Sequence, residues 1–270
     1  MKRNIILLAA VLMSLMQALA LGVHEIQSKH IASPATVTVA LPAEYGSQKS
    51  LPAYPVIYLL NGHGGDHTSW SKVIDLDSLA TVYRTIIVCP AGLNSWYWDS
   101  PVDPTMKMES YIVEELVPWV DANFRTRPDR GSRAITGLSM GGHGGLWLGI
   151  RHSDLFGNAG STSGGVDFRP FPGKWNIPDR LGSYDKNRQR WYEHTVMSLV
   201  DSLRPGQLNI IIDCGTEDFF YEVNNNLHQA LKDRGIAHTY LTQPGAHNSN
   251  YWRRSIVPQM QFFRTQFYEP

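Results

Sequence analysis

Several short apolar runs, most with no polar face, constrain this chain more than any other feature of it. Pro55–Leu60 (PVIYLL) stops at Asn61-Gly62, and Thr85–Cys89 (TIIVC) stops at Pro90. Ala134–Leu138 (AITGL) runs into a Gly-rich turn. Leu208–Asp213 (LNIIID) ends at Cys214-Gly215, and His238–Thr242 (HTYLT) ends at Pro244-Gly245. Unalternated runs bounded by Gly or Pro are the pattern of strands covered on both faces. Thr36–Leu41 (TVTVAL) adds a strand with β-branched alternation. Helical spacing fills the gaps at Glu109–Asn123, Leu146–His152, Glu222–Arg234 and Pro258–Phe267. Strands alternating with helices predict an α/β fold, a mostly parallel sheet with helices on both faces. A hydrophobic content of 43% supplies the core and excludes a disordered chain. Gly164–Arg204 breaks the rhythm. It carries Phe168, Phe171, Trp175, Trp191 and Tyr192 among three prolines and four glycines, and reads as an insertion or lid near the site.

The N-terminus has a different layout. Met1-Lys2-Arg3-Asn4 is a short basic stretch, Ile5–Met16 is apolar, and Ala18-Leu19-Ala20 fits a small-x-small cleavage site. Residues 1–20 are expected to be a signal peptide, leaving one domain at 21–270. The apolar run is shorter than the ~20 residues of a membrane span, so no stable membrane insertion is expected after cleavage. The expected location is periplasmic or secreted, in a bacterium. Formal net charge is zero, which leaves no basic field for nucleic acid.

Gly137-Leu138-Ser139-Met140-Gly141 contains G-x-S-x-G between a strand pattern and a helix pattern. That context fits a nucleophile elbow, a strained turn that presents its serine at the C-terminal edge of a sheet. Serine is a weak nucleophile and needs a base and an orienting acid. Six histidines follow Ser139. His143, His152 and His228 sit in or beside helix patterns, His194 lies in the insertion, and His238 opens a strand at the wrong end. His247, in the loop after the last strand, is the expected base. For the acid, Asp213 is still within its strand, whereas Glu217 and Asp218 lie in the loop beyond it. Asp218 is preferred, with Glu217 as the alternative.

Developing negative charge on the substrate calls for two backbone N–H groups. Met140, after the serine, supplies one. His63, in the loop Asn61-Gly62-His63-Gly64-Gly65-Asp66-His67, is expected to supply the other through its amide. His63, Asp66 and His67 are also metal-ligand types, but the Gly-rich loop already has this role. No metal and no cofactor are expected.

The strings LLNGHGGDHTSW (Leu59–Trp70), GLSMGG, NSWYWDSP, CGTEDFFYEVNN (Cys214–Asn225) and PGAHNSNYW (Pro244–Trp252) resemble the esterase D family. That family spans tributyrin esterases, S-formylglutathione hydrolases, feruloyl and acetyl-xylan esterases and mycolyltransferases. The resemblance covers roughly residues 35–265. It implies an α/β-hydrolase fold with Ser139, Asp218 and His247 as triad and the His63 and Met140 amides as oxyanion hole. Asn61 departs from the family, which often has His there. The family's strand order also implies three strands between Cys89 and Cys214. That is roughly 19 Å at about 4.8 Å per strand, too far for a disulfide.

The implied function is a serine carboxylesterase. Its substrate is expected to be a small-molecule or oligosaccharide ester, of acetyl-xylan or feruloyl type. Trp96, Trp98 and Trp175 are candidate substrate contacts, since aromatic side chains suit sugar rings and phenolic acyl groups. The alternatives are a general short-chain esterase, an acyltransferase of mycolyltransferase type, and a non-catalytic binding module.

Overall fold

The computed structural model describes residues 21–32, 34–46 and 53–269. The export signal expected at residues 1–20 lies outside the described residues. Eight strands form one sheet: β1 (Leu21–Ile26), β2 (Ala35–Ala40), β3 (Val56–Leu60), β4 (Ile86–Pro90), β5 (Arg133–Gly137), β6 (Asn158–Thr162), β7 (Asn209–Gly215) and β8 (Thr239–Gln243). Their order is β1-β2-β4-β3-β5-β6-β7-β8. The pairs β1–β2 and β2–β4 are antiparallel, and every later pair is parallel. This is an α/β-hydrolase fold.

Burial explains the unalternated runs, except at β8, an edge strand whose residues are half-buried or exposed. Along β3, Val56, Tyr58 and Leu60 join one buried cluster, while Ile57 and Leu59 join the other. Successive side chains point to opposite faces, so a strand covered twice must be apolar throughout. One face is packed by α2 (residues 108–123), α3 (Met140–Arg151) and α6 (Tyr221–Asp233). The other is packed by α1 (Leu76–Tyr83) and α7 (Ser249–Tyr268). Helix α2 is interrupted: Met108–Ser110 leads into a π-helical stretch, Tyr111–Leu116, and then Val117–Asn123. Pro118 has no N–H to close an α-helical bond, which accounts for the local change of pitch.

Several elements differ from the sequence reading. Strand β6 has no apolar run because its residues, Asn-Ala-Gly-Ser-Thr, lie where α7 packs closely. A Cβ at Gly160 would sit 2.7 Å from Gln259 Oε1 and 3.0 Å from Phe263. Helix α1 is capped by Asp75, whose carboxylate accepts from the Asp77 and Ser78 amides. Pro258, expected to open the last helix, lies inside α7; the cap is Asn248, which accepts from Tyr251 N. The region 164–204 folds into short helical turns, among them α4 (Ile177–Leu181) and α5 (Arg188–Glu193), over the buried Phe168 and Trp191. Cys89 on β4 and Cys214 on β7 are both free and buried, with β3, β5 and β6 between them. Among the described residues, no helix is long and apolar enough to cross a membrane.

The core also holds a carboxyl group. Asp213 Oδ2, near the end of β7, accepts from Thr162 Oγ1 (2.6 Å) and Gln259 Nε2 (2.7 Å). Burial pushes its pKa up from 3.8 to about 7, against the lowering effect of those hydrogen bonds. A carboxyl raised in the folded state stabilises the fold fully below its unfolded value. That contribution is lost as pH rises through the folded value. Between pH 3.8 and about 7, wild-type stability relative to Asp213→Asn should therefore fall as pH rises, by up to about 1.4 kcal/mol per pH unit. Urea denaturation at several pH values measures this, and parallel profiles for the two proteins would contradict it.

Candidate active site

The turn between β5 and α3 sets the site. Ser139 has φ 58° and ψ −117°, a backbone region that residues with a Cβ rarely occupy. Its surroundings hold it there. Ser139 N donates to Thr162 O (2.9 Å), and Ser139 O accepts from Gly165 N and His143 N. The turn needs glycine on both sides: a Cβ at Gly137 or Gly141 would collide with the carbonyl oxygen of Leu60. Leu138 N donates to that same oxygen, so the elbow is seated on the end of β3.

His247 lies in the loop between β8 and α7. Its Nε2 is 2.9 Å from Ser139 Oγ, and its Nδ1 is 2.8 and 3.1 Å from the two carboxylate oxygens of Asp218. An ionised carboxylate can only accept, so Nδ1 carries a proton and Nε2 is left to accept from the serine. Asp218, in the loop after β7, has a fully buried side chain and also accepts from Phe220 N at 2.9 Å. Glu217, the alternative acid, is exposed. Phe219 packs on the imidazole with ring centres 4.3 Å apart, and Trp252 meets it edge-on at 5.1 Å.

Met140 opens α3, so its amide is among the helix N-terminal donors without an intrahelical acceptor. His63 lines the same cavity as Ser139. The amides beyond it are occupied: Gly64 N donates to Leu93 O and Gly65 N to Gly62 O. Asn61 fastens this loop to the next one. Its Oδ1 accepts from Gly92 N (2.9 Å) and from the Tyr97 hydroxyl (3.2 Å), and its Nδ2 donates to Gly62 O (2.8 Å). The ligand-type side chains of the loop point to separate partners. His63 Nε2 bonds Asn176 Oδ1, His67 Nδ1 bonds Thr38 Oγ1, and Asp66 accepts from Thr68. Among the described residues, no group of three or more His, Cys, Asp or Glu is placed to hold a metal ion.

Ser139 and His247 open into a cavity of about 560 Å³. Trp175 lines it, from the 164–204 segment. Trp96 and Trp98 do not, which corrects their reading as substrate contacts: both are fully buried. They stack on each other (5.5 Å, 17°), and the Trp98 indole donates to His143 Nε2 (2.8 Å) beneath the elbow helix. Burial drives the His143 pKa down to about 3, so that imidazole is a neutral acceptor. Phe219, Trp252 and Lys72 also line the cavity, and none of them is among the substrate contacts expected from the sequence. Their one signal was adjacency, since Phe219 follows Asp218 and Trp252 lies one helical turn beyond the His247 loop.

The family model described as "Putative esterase" matches residues 28–263. The chain belongs to this esterase family. It is a carboxylesterase of the serine-hydrolase type. The acetyl esterase of Caldicellulosiruptor saccharolyticus is 25% identical over 248 residues, covering 85% of this chain and 92% of that protein. The endo-1,4-beta-xylanase/feruloyl esterase of Xylanibacter ruminicola is 33% identical over 238 residues, covering 84% of this chain but only 29% of that protein. A solved ferulic acid esterase superimposes with a TM-score of 0.78 at 25% identity, covering 92% of this chain and 98% of its own.

The packing around the elbow makes Gly141 sensitive. Gly141→Ala should cost about 1–3 kcal/mol of stability through overpacking. It should also cost the esterase activity at least about tenfold, because the serine is displaced with its turn. Denaturation curves and an aryl acetate assay on the same preparation check both.

Proposed function

We propose that the chain is an exported serine carboxylesterase that deacylates carbohydrate or phenolic esters through an acyl-enzyme on Ser139. The observation that carries this reading is the hydrogen-bonded run from Asp218 through His247 to Ser139 Oγ, opening into the 560 Å³ cavity. In the first half-reaction Ser139 Oγ attacks the ester carbonyl carbon, and its proton passes to His247 Nε2. The carbonyl oxygen becomes an oxyanion that the Met140 and His63 amides stabilise; one such donor is worth about 10²–10³-fold in kcat. Asp218 holds the imidazole in the required tautomer and stabilises the imidazolium. The intermediate collapses, the alcohol leaves with the proton from Nε2, and the acyl group stays on Ser139. Water then attacks with the same help and releases the acid.

The aromatic wall supports the substrate class. Trp175 and Phe219 stack nearly parallel (5.7 Å, 19°) at the cavity, and Trp252 faces His247. Such surfaces suit a sugar ring or a phenolic acyl group. Relatives bearing the names acetyl esterase and feruloyl esterase agree with that choice. Export rests on the layout of residues 1–20.

A panel of aryl acetate, methyl ferulate and acetylated xylo-oligosaccharide tests the substrate. The highest kcat/KM is expected on the last two, and a preference for the simple acetate would favour a general short-chain esterase. Ser139→Ala should lose about 10⁴-fold or more in kcat. A fluorophosphonate should label the wild type at Ser139, and labelling elsewhere would overturn the nucleophile. Asp218→Asn should lose about 10³–10⁴-fold in kcat by analogy with other triads, and Glu217→Gln less than about tenfold. The reverse order would transfer the acid's role to Glu217.

A further inference from the structure

Two loops must meet before Asp218 can bond His247, one following β7 and the other following β8. Their backbones are tied by Thr216 N to Gln243 O and Glu217 N to Gly245 O, both 3.0 Å. They pass each other so closely that a Cβ at Gly215 would stand 2.7 Å from the carbonyl carbon of Gly245. The side chain that fills the space beside both glycines belongs to Tyr251. A Cβ at Gly215 would be 3.1 Å from Tyr251 Cε2, and one at Gly245 would be 2.5 Å from Tyr251 Cδ2.

Tyr251 is 1% exposed and sits in the first turn of α7. Its amide donates to Asn248, the residue next to His247, at both O (3.1 Å) and Oδ1 (3.2 Å). Its hydroxyl and Asp213 Oδ1 are both buried without a hydrogen-bond partner, and the nearby Asp213 charge adds to burial in raising the Tyr251 pKa. Asp213 Oδ2 is held by Thr162, whose backbone oxygen accepts the amide of Ser139. Tyr251 thus touches the acid loop, the base loop and a core group that also supports the nucleophile.

We propose that Tyr251 is a positioning residue of the reaction: its ring spaces the two loops and so aligns His247 between Asp218 and Ser139. The hydroxyl end of the ring has no hydrogen bond, so the ring itself carries the role. The proposal rests on the reading of Ser139, His247 and Asp218 as a catalytic triad. A displacement of about 1 Å in such an alignment is enough to cost roughly 10²-fold in rate, even when substrate binding is untouched.

The test uses the purified chain with Tyr251→Ala, Tyr251→Leu, Tyr251→Phe and His247→Ala. For each, kcat and KM on an aryl acetate are measured per phosphonylatable serine, beside the rate of fluorophosphonate labelling at Ser139. Circular dichroism fixes the folded fraction at the assay temperature. Folded Tyr251→Ala or Tyr251→Leu should lose about 10–100-fold in kcat, with KM within about twofold and labelling slowed in parallel. Tyr251→Phe should recover kcat to within about threefold, because the ring remains. If Tyr251→Ala fails to fold, Tyr251→Leu carries the test. If neither folds, Tyr251→Phe decides: near-normal kcat supports spacing by the ring, and a loss as deep as that of His247→Ala overturns it. A folded Ala or Leu variant with wild-type kcat and labelling rate would reduce Tyr251 to a core filler. A His247→Ala variant that labels as fast as wild type would instead remove the triad reading beneath the proposal.

Discussion

The carbonyl oxygen of Leu60, at the end of β3, is the contact on which the site depends. It accepts the amide of Leu138, and Gly137 and Gly141 close on it from either side with no room for a Cβ. That approach forces the chain to turn sharply between β5 and α3, leaving Ser139 at positive φ. The strain is held by three backbone hydrogen bonds to the serine residue and by burial of the elbow helix. Because β3 also leads into the Asn61–Gly65 loop, the same strand end brings His63 to the cavity beside Ser139. The candidate nucleophile and the His63 loop are therefore located by one strand end rather than by two independent arrangements.

The legible parts of the fold were those where burial left one solution. Strands β3 and β4, and β7 over Ile210–Ile212, send alternate residues into two cores, so those positions are apolar and each reads as an unbroken run. Strand β6 meets the same burial by a different route. The helix above it packs so closely that small residues replace large ones, and the apolar signal vanishes. Strand β1 lies at the sheet edge, mostly exposed or half-buried, and directly follows the apolar N-terminal stretch. Edge position removes the constraint that makes a strand readable. Pro258 misled for a related reason: proline is common at helix starts, yet α7 carries it internally, well past its Asn248 cap.

The candidate triad was legible because each member sits where a parallel strand hands over to a loop, and chain order narrows the choices. Side-chain direction was not legible. Trp96, Tyr97 and Trp98 occupy the expected loop, but Trp96 and Tyr97 take left-handed backbone angles, and all three rings turn into the core. Their hydrogen bonds explain the inward turn. Trp96 Nε1 donates to Trp175 O, Trp98 Nε1 to His143, and the Tyr97 hydroxyl to Asn61 O. They support the walls of the cavity from behind, whereas Trp175, on the segment lying over them, supplies its surface. The sequence placed indoles near the site, but only packing decides which of them line the cavity.

Asp213 and Asp218 lie five residues apart, and both side chains are buried, yet their surroundings assign them opposite work. Asp213 is met by a hydroxyl and a side-chain amide, donors that carry no charge. Burial therefore outweighs its hydrogen bonds, and the carboxyl is driven toward its neutral form. Asp218 faces the Nδ1 of His247, a group that becomes positive whenever Nε2 takes a proton. On the proposed mechanism a negative charge is useful there, because its partner acquires the opposite sign during the reaction. Strand β7 thus carries one carboxyl that ties the sheet to α7 and, in the loop beyond its end, leads to another that bonds His247. The division follows from where each side chain leaves the strand: within the ladder for Asp213, beyond its end for Asp218.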